Sequence, residues 1–143
     1  MAGARNVGMP KLRVLLADDD SEMLMLVEKA LHQFYDADVV AVASGGELLE
    51  KIANDGAFDV VVTDITMPWM TGLHVMHSAR AAGLPIPVVV MTALRDPTLP
   101  EQVASLGACA ELLHKPFSIS ELLAALRRSL ASSARETQTP RHG

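Results

Sequence analysis

The segment Asp59-Val60-Val61-Val62-Thr63-Asp64-Ile65-Thr66-Met67-Pro68 is mostly apolar and β-branched, and it stops on a carboxylate followed by a loop. A short run of this kind closed by a turn signal reads as a strand of a parallel sheet, because a strand covered on both faces has no polar side to show. Asp64 then stands at the C-terminal edge of a strand, and open α/β sheets hold their ligands in the crevice beyond those edges. An ionised carboxylate there needs a compensating cation, since an isolated buried charge is very costly.

The rest of the chain repeats the pattern. Leu12–Ala17 is a short apolar strand that ends on Asp18, Asp19 and Asp20. In Ser21–Phe34, the residues Met23, Leu24, Val27, Ala30, Leu31 and Phe34 recur at spacings of three and four, which gives a helix one apolar face. Asp20 or Ser21 is a sensible N-cap for it, so Asp18 and Asp19 are available for other work. Asp38–Ala43 reads as a second strand, and Ser44-Gly45-Gly46-Glu47 has the spacing of a capping box, opening a helix to about Asn54 that Gly56 ends. Phe58–Thr63 is the third strand.

Thr71 can cap a helix carrying Leu73, Met76 and Ala79 on one face and closing at Gly83. Residues 85–92 contain a fourth strand ending on Thr92, and a short helix spans about Pro100 to Leu106. A fifth strand, Ala110–His114, leads into Lys115-Pro116-Phe117. Ser118-Ile119-Ser120-Glu121 is a second capping box and opens a last helix, beyond which the chain turns polar from Ala131. This alternation predicts an α/β domain with a parallel five-stranded sheet and helices on both faces.

A chain of 143 residues, half of them hydrophobic, suits one domain: a loose leader over 1–10, the domain over 11–131, and a disordered tail over 132–143 with no room for an output domain. The net charge of -5 gives no pull toward nucleic acid, and no apolar run resembles a signal segment or a membrane span. The single Cys109 excludes an internal disulfide and fits a reducing cytoplasm.

Asp18, Asp19, Asp64, Thr92 and Lys115 all fall at strand ends, and a parallel sheet brings those ends to one edge. Carboxylates about 4 Å apart repel by roughly 4 kcal/mol per pair at an effective dielectric near 20. A hard divalent ion relieves this, and magnesium suits a small carboxylate set completed by a carbonyl, waters and phosphate oxygen. A phosphoryl group is then the natural substrate, with Thr92 and Lys115 holding its oxygens and Asp64 as the nucleophile. Each residue alone has a plainer reading: Asp18 and Asp19 as helix caps, Thr92 as a strand-end hydroxyl, Lys115 as a solvated charge. Their joint spacing favours the site.

Leu15-Leu16-Ala17-Asp18-Asp19-Asp20, Asp64-Ile65-Thr66-Met67-Pro68, Met91-Thr92-Ala93 and Lys115-Pro116-Phe117, in this order and spacing, resemble the receiver domain of two-component response regulators over about residues 11–131. The resemblance implies a flavodoxin-like doubly wound (βα)5 three-layer sandwich of the stand-alone, chemotaxis-regulator-like kind, acting in the cytoplasm as a monomer or weak homodimer. It implies transfer of a phosphoryl group from a sensor histidine kinase or phosphotransfer protein onto Asp64, and signalling through a downstream protein target. It further implies magnesium held by Asp18, Asp19, Asp64 and the Thr66 carbonyl, phosphoryl oxygens bound by Thr92 and Lys115, and a cis Lys115–Pro116 peptide. Catalysis would extend only to the domain's own phosphorylation and dephosphorylation, with Thr66 and Leu94 tuning the access of water.

The chain departs from the family pattern three residues before the lysine, where an aromatic switch is common and Leu112 stands here, or Glu111 if the preceding segment is one residue longer. Neither is aromatic, so transmission through movement of the loop after Thr92 is expected instead. Trp69 falls near the mouth of the crevice as a kinase contact or reporter, whereas His74 and His77 read as incidental. A phosphatase of the haloacid-dehalogenase kind needs a second Asp two residues after the first, and Thr66 stands there. A docking module that is never phosphorylated would tolerate damage to Asp18, Asp19, Asp64, Thr92 or Lys115, and all are present.

Overall fold

The computed structural model describes residues 11–138 apart from Gly56. The expected leader, the helix stop at Gly56 and residues 139–143 of the expected tail lie outside the described residues. Among the described residues ten elements alternate: β1 (Leu12–Ala17), α1 (Ser21–Phe34), β2 (Ala37–Val42), α2 (Gly45–Asn54), β3 (Val60–Asp64), α3 (Gly72–Ala81), β4 (Val88–Thr92), α4 (Leu99–Ala104), β5 (Ala110–His114) and α5 (Ile119–Gln138). The strands form one sheet in the order β2-β1-β3-β4-β5, and every pairing is parallel. The order reverses between β1 and β3, which is where such sheets open a crevice.

Alternation along the strands feeds two cores. Val14, Leu16, Val60, Val62 and Met91 pack with Val27 and Leu31 of α1 and Leu122 and Leu126 of α5. Leu15, Val61, Val88 and Val90 face the other way, against Leu48 and Ile52 of α2, Met76 of α3 and Val103 of α4. Burying one such side chain contributes about 1.5–3 kcal/mol, so the central strands have no polar face to spare. That is why β3 reads as an unbroken apolar run until Thr63 and Asp64.

Helix starts follow the capping chemistry. Asp20 accepts from the Glu22 N–H. In the box at residues 44–47, Ser44 Oγ accepts from the Glu47 N–H at 3.1 Å and Glu47 Oε1 from the Ala43 N–H at 2.7 Å. The box at 118–121 closes reciprocally, at 2.8 and 3.1 Å. Among the described residues, no helix is long and apolar enough to cross a membrane.

Several limits differ from the sequence reading. β3 starts at Val60 and includes Asp64, because Phe58 lies outside the ladder with the Arg13 guanidinium 4.6 Å above its ring. α4 stops at Ala104, where Leu106 and Gly107 tighten into i→i−3 bonds to Val103 and Ala104. α5 continues to Gln138, past the expected polar stretch from Ala131, since a helix held by backbone bonds does not need an apolar face in its last turns. Phe34 is 53% exposed rather than buried: it is the final residue of α1, and the extended Tyr35 behind it packs on the core in its place.

Candidate functional site

The crevice is built from strand ends. Asp18 is the first residue beyond β1, and its N–H donates to Val42 O at 3.2 Å, which fixes it against the end of β2. Its fully buried carboxylate accepts from the Asp20 N–H at 2.9 Å through Oδ1 and from Lys115 Nζ at 2.9 Å through Oδ2. Asp64, the last residue of β3, is 7% exposed and accepts from Lys115 Nζ at 3.2 Å. The Thr66 N–H lies 3.4 Å from its other oxygen. Exposed Asp19 completes the group: Asp18, Asp19 and Asp64 each bring a carboxylate oxygen within 4.8 Å of the others.

Lys115 follows β5, and its N–H donates to Thr92 O at 2.7 Å, locking the ends of β4 and β5 together. The Lys115–Pro116 peptide is cis, as the resemblance implied. Thr92 is buried, and its Oγ1 accepts from the Leu94 N–H at 2.9 Å. That bond uses a lone pair and leaves the hydroxyl hydrogen for an oxygen in the crevice. Thr66 is exposed at the rim, joined to Asp64 through its N–H.

The electrostatics are those of an incompletely neutralised acidic pocket. Burial, and next the charge of Asp18, raise the Asp64 carboxyl above the usual carboxylate range, against the opposing pull of Lys115 and the Thr66 N–H. For Lys115, burial works to lower the affinity for the proton, but the hydrogen bond to Asp18 and the charges of Asp64 and Asp18 outweigh it and hold the ammonium above its ordinary value. One ammonium, paired with Asp18 and Asp64 in a cluster that also holds Asp19, leaves negative charge on hard oxygen donors. That donor set fits a divalent cation such as magnesium.

Two structural roles escaped the sequence reading. A Cβ on Gly72 would collide with Asp64 O and come to 2.6 Å from Thr63 Oγ1, so only glycine lets the start of α3 pack under the acceptor strand. The signal was a glycine directly after the Thr71 cap, where helix formation does not call for one. The second concerns the position three residues before the lysine. Leu112 pairs with Val90 and packs in the core on the α4 side, whereas Glu111 pairs with Arg128 of α5 at 2.8 Å. Leu112 therefore shares its sheet face with Thr92. His74 and His77 are both exposed, with His77 Nε2 3.5 Å from Ser105 Oγ.

Comparison with known proteins places this arrangement. The response regulator receiver domain pattern matches residues 14–127. The response regulator MprA of Mycolicibacterium vanbaalenii is 39% identical over 120 residues, covering 83% of this chain and 50% of that protein. MprA of Mycobacterium leprae is 38% identical over 120 residues, covering 83% of this chain and 51% of that protein. The chain thus spans about half the length of the curated relatives it matches. Among solved structures, the chemotaxis response regulator CheY4 of Vibrio cholerae superposes with a TM-score of 0.74 at 29% identity, over 85% of this chain and 100% of that one. The receiver domain of the response regulator NarL from Mycobacterium tuberculosis gives 0.75 at 30% identity, over 85% and 97%. The fold is thus the flavodoxin-like one of these regulators, and the chain belongs to the receiver domain family of two-component response regulators.

Proposed function

We propose that this chain is the phosphoacceptor of a two-component phosphorelay, taking a phosphoryl group onto Asp64 from the phosphohistidine of a sensor kinase or phosphotransfer protein and passing the state to a downstream protein. The observation that carries this reading is the convergence of Lys115 on Asp18 and Asp64, at 2.9 and 3.2 Å, inside a crevice that ends four strands. Asp64 Oδ attacks the phosphorus, and the bond to the donor's imidazole nitrogen breaks with its electron pair leaving on that nitrogen. Lys115 exchanges its contact with Asp64 for a phosphoryl oxygen, and the Thr92 hydroxyl donates to another.

Asp18, Asp19, Asp64 and the Thr66 carbonyl would hold magnesium. When bound, magnesium neutralises the carboxylates and the charge that develops on the phosphoryl oxygens. Hydrolysis resets the state, and Thr66 and Leu94, both exposed, would tune the access of water to it. With no aromatic at 112, output rests on movement of the loop after Thr92, which biases a two-state equilibrium through differential affinity for the target. The protein acts in the cytoplasm, as a monomer or weak homodimer, without contacting nucleic acid. A dehalogenase-type phosphatase is disfavoured because the hydroxyl of Thr66 is no general acid at neutral pH.

The test is intact mass after incubation with a small acyl phosphate and magnesium, beside Asp64→Asn and a metal-free sample. One added phosphoryl group that needs both Asp64 and magnesium is expected. No addition despite measurable magnesium binding would instead favour a docking module that works unphosphorylated or a strict dependence on a kinase protein, which transfer from an autophosphorylated kinase separates.

A further inference from the structure

Trp69 is the chain's single tryptophan, is 95% exposed, and has φ of 75°. That is the left-handed region, where a bulky side chain carries local strain that glycine would not. The loop imposes it. The Gly45 N–H donates to Pro68 O at 3.3 Å, Met70 N–H to Pro68 O at 2.9 Å and Gly72 N–H to Ile65 O at 3.0 Å. A Cβ on Gly45 would collide with Met70 O, so the start of α2 closes directly on the loop. Met70 packs against the core, and the indole next to it is turned into solvent.

Beside the indole lies a depression of about 270 Å³ lined by Trp69, Met70, Thr71 and His74. It has room for one large apolar side chain. Asp64, five residues earlier, is recessed, so a protein that delivers a phosphoryl group must press on the loops around it, whereas a small phosphodonor need not. An exposed tryptophan beside a preformed hollow is the kind of residue that dominates an interface, since its large rigid ring loses little freedom when covered.

Resting on the phosphorelay reading, we infer that Trp69 is a specificity-determining contact for the protein phosphodonor, with the indole and its hollow receiving one large apolar side chain that flanks the donor's phosphohistidine. The net charge of -5 disfavours an anionic surface as the occupant. The strain at Trp69 is consistent with a side chain kept for what it touches and not for the loop it sits in.

The experiment uses the full chain with magnesium and a panel of autophosphorylated sensor kinases from the same organism. For wild type, Trp69→Ala, Trp69→Gly and Trp69→Phe, the rate of transfer from the most effective kinase is divided by the rate from a small acyl phosphate. Ala and Gly should each lower this ratio at least tenfold, equivalent to about 1.4 kcal/mol, Phe should recover most of it, and Gly should melt above Ala. An Ala ratio within about twofold of wild type, or a Gly variant that restores transfer, would overturn the inference while leaving the phosphorelay reading intact. Wild-type protein that accepts nothing from any donor would overturn both.

Discussion

Lys115 Nζ sits between Asp18 Oδ2 and Asp64 Oδ2, at 2.9 and 3.2 Å, and so joins residues 97 and 51 positions away in sequence. It is a side chain of the last strand's end holding apart the charges of the first and third. Removing it leaves the buried Asp18 with only the Asp20 N–H to stabilise it. Lys115→Met should therefore lower the stability of metal-free protein by about 2–4 kcal/mol in urea denaturation, and millimolar magnesium should restore part of it. A variant as stable as wild type without metal would show that the pair is compensated elsewhere.

The raised Asp64 carboxyl has a consequence with a definite sign. A carboxyl whose pKa rises on folding favours the folded state while protonated, and costs stability as it ionises. Metal-free protein should lose Asp64's contribution as pH rises from about 4. Asp64→Asn should accordingly melt higher than wild type at pH 7, the gap closing in acid below that value. Thermal melts at both pH values in the presence of a chelator check this, and an Asn variant that melts lower at pH 7 contradicts it.

Magnesium should stabilise the folded chain by mass action, by about 2.7 kcal/mol at a hundred times its dissociation constant. Asp18 and Asp19 each place a carboxylate oxygen within 4.8 Å of one on Asp64. In the Asp18→Asn, Asp19→Asn double variant the magnesium-dependent rise in Tm should disappear, and chelation should abolish phosphoryl incorporation in wild type. Retention of the full rise would move the metal elsewhere.

Gly72→Ala places a methyl group against Asp64 O and Thr63 Oγ1, so the end of β3 or the start of α3 must shift. Overpacking of this kind costs about 1–3 kcal/mol. The displacement falls on the acceptor, so the phosphorylation rate from a small acyl phosphate should drop at magnesium saturation. A folded Ala variant with the wild-type rate would mean that the packing gives way without moving Asp64.

Much of this was legible in the residues alone. β1, α1 and β5 have the limits that periodicity and flanking polar residues suggested, and the strand-end logic located Asp18, Asp19, Asp64 and Lys115 in one crevice. Local patterns failed where a neighbour decides the outcome. Phe34 fits an apolar stripe, but it closes α1 and Tyr35 packs on the core in its place. Gly72 reads as an ordinary early-helix residue until the acceptor strand is laid beneath it, and only strand pairing separates Leu112 from Glu111.

The lysine of the crevice arrives with the last strand. A ribosome that has released the chain only through β4 has already exposed the acidic pair, Asp64 and Thr92, yet that chain lacks the ammonium and the β5 ladder that closes on Thr92. Pairings of such long sequence separation are slow to form, because the intervening chain must first be closed into a loop. Nascent chains and fragments clipped before residue 115 would therefore be silent, and a cell would receive a signal only from chains finished through their fifth strand.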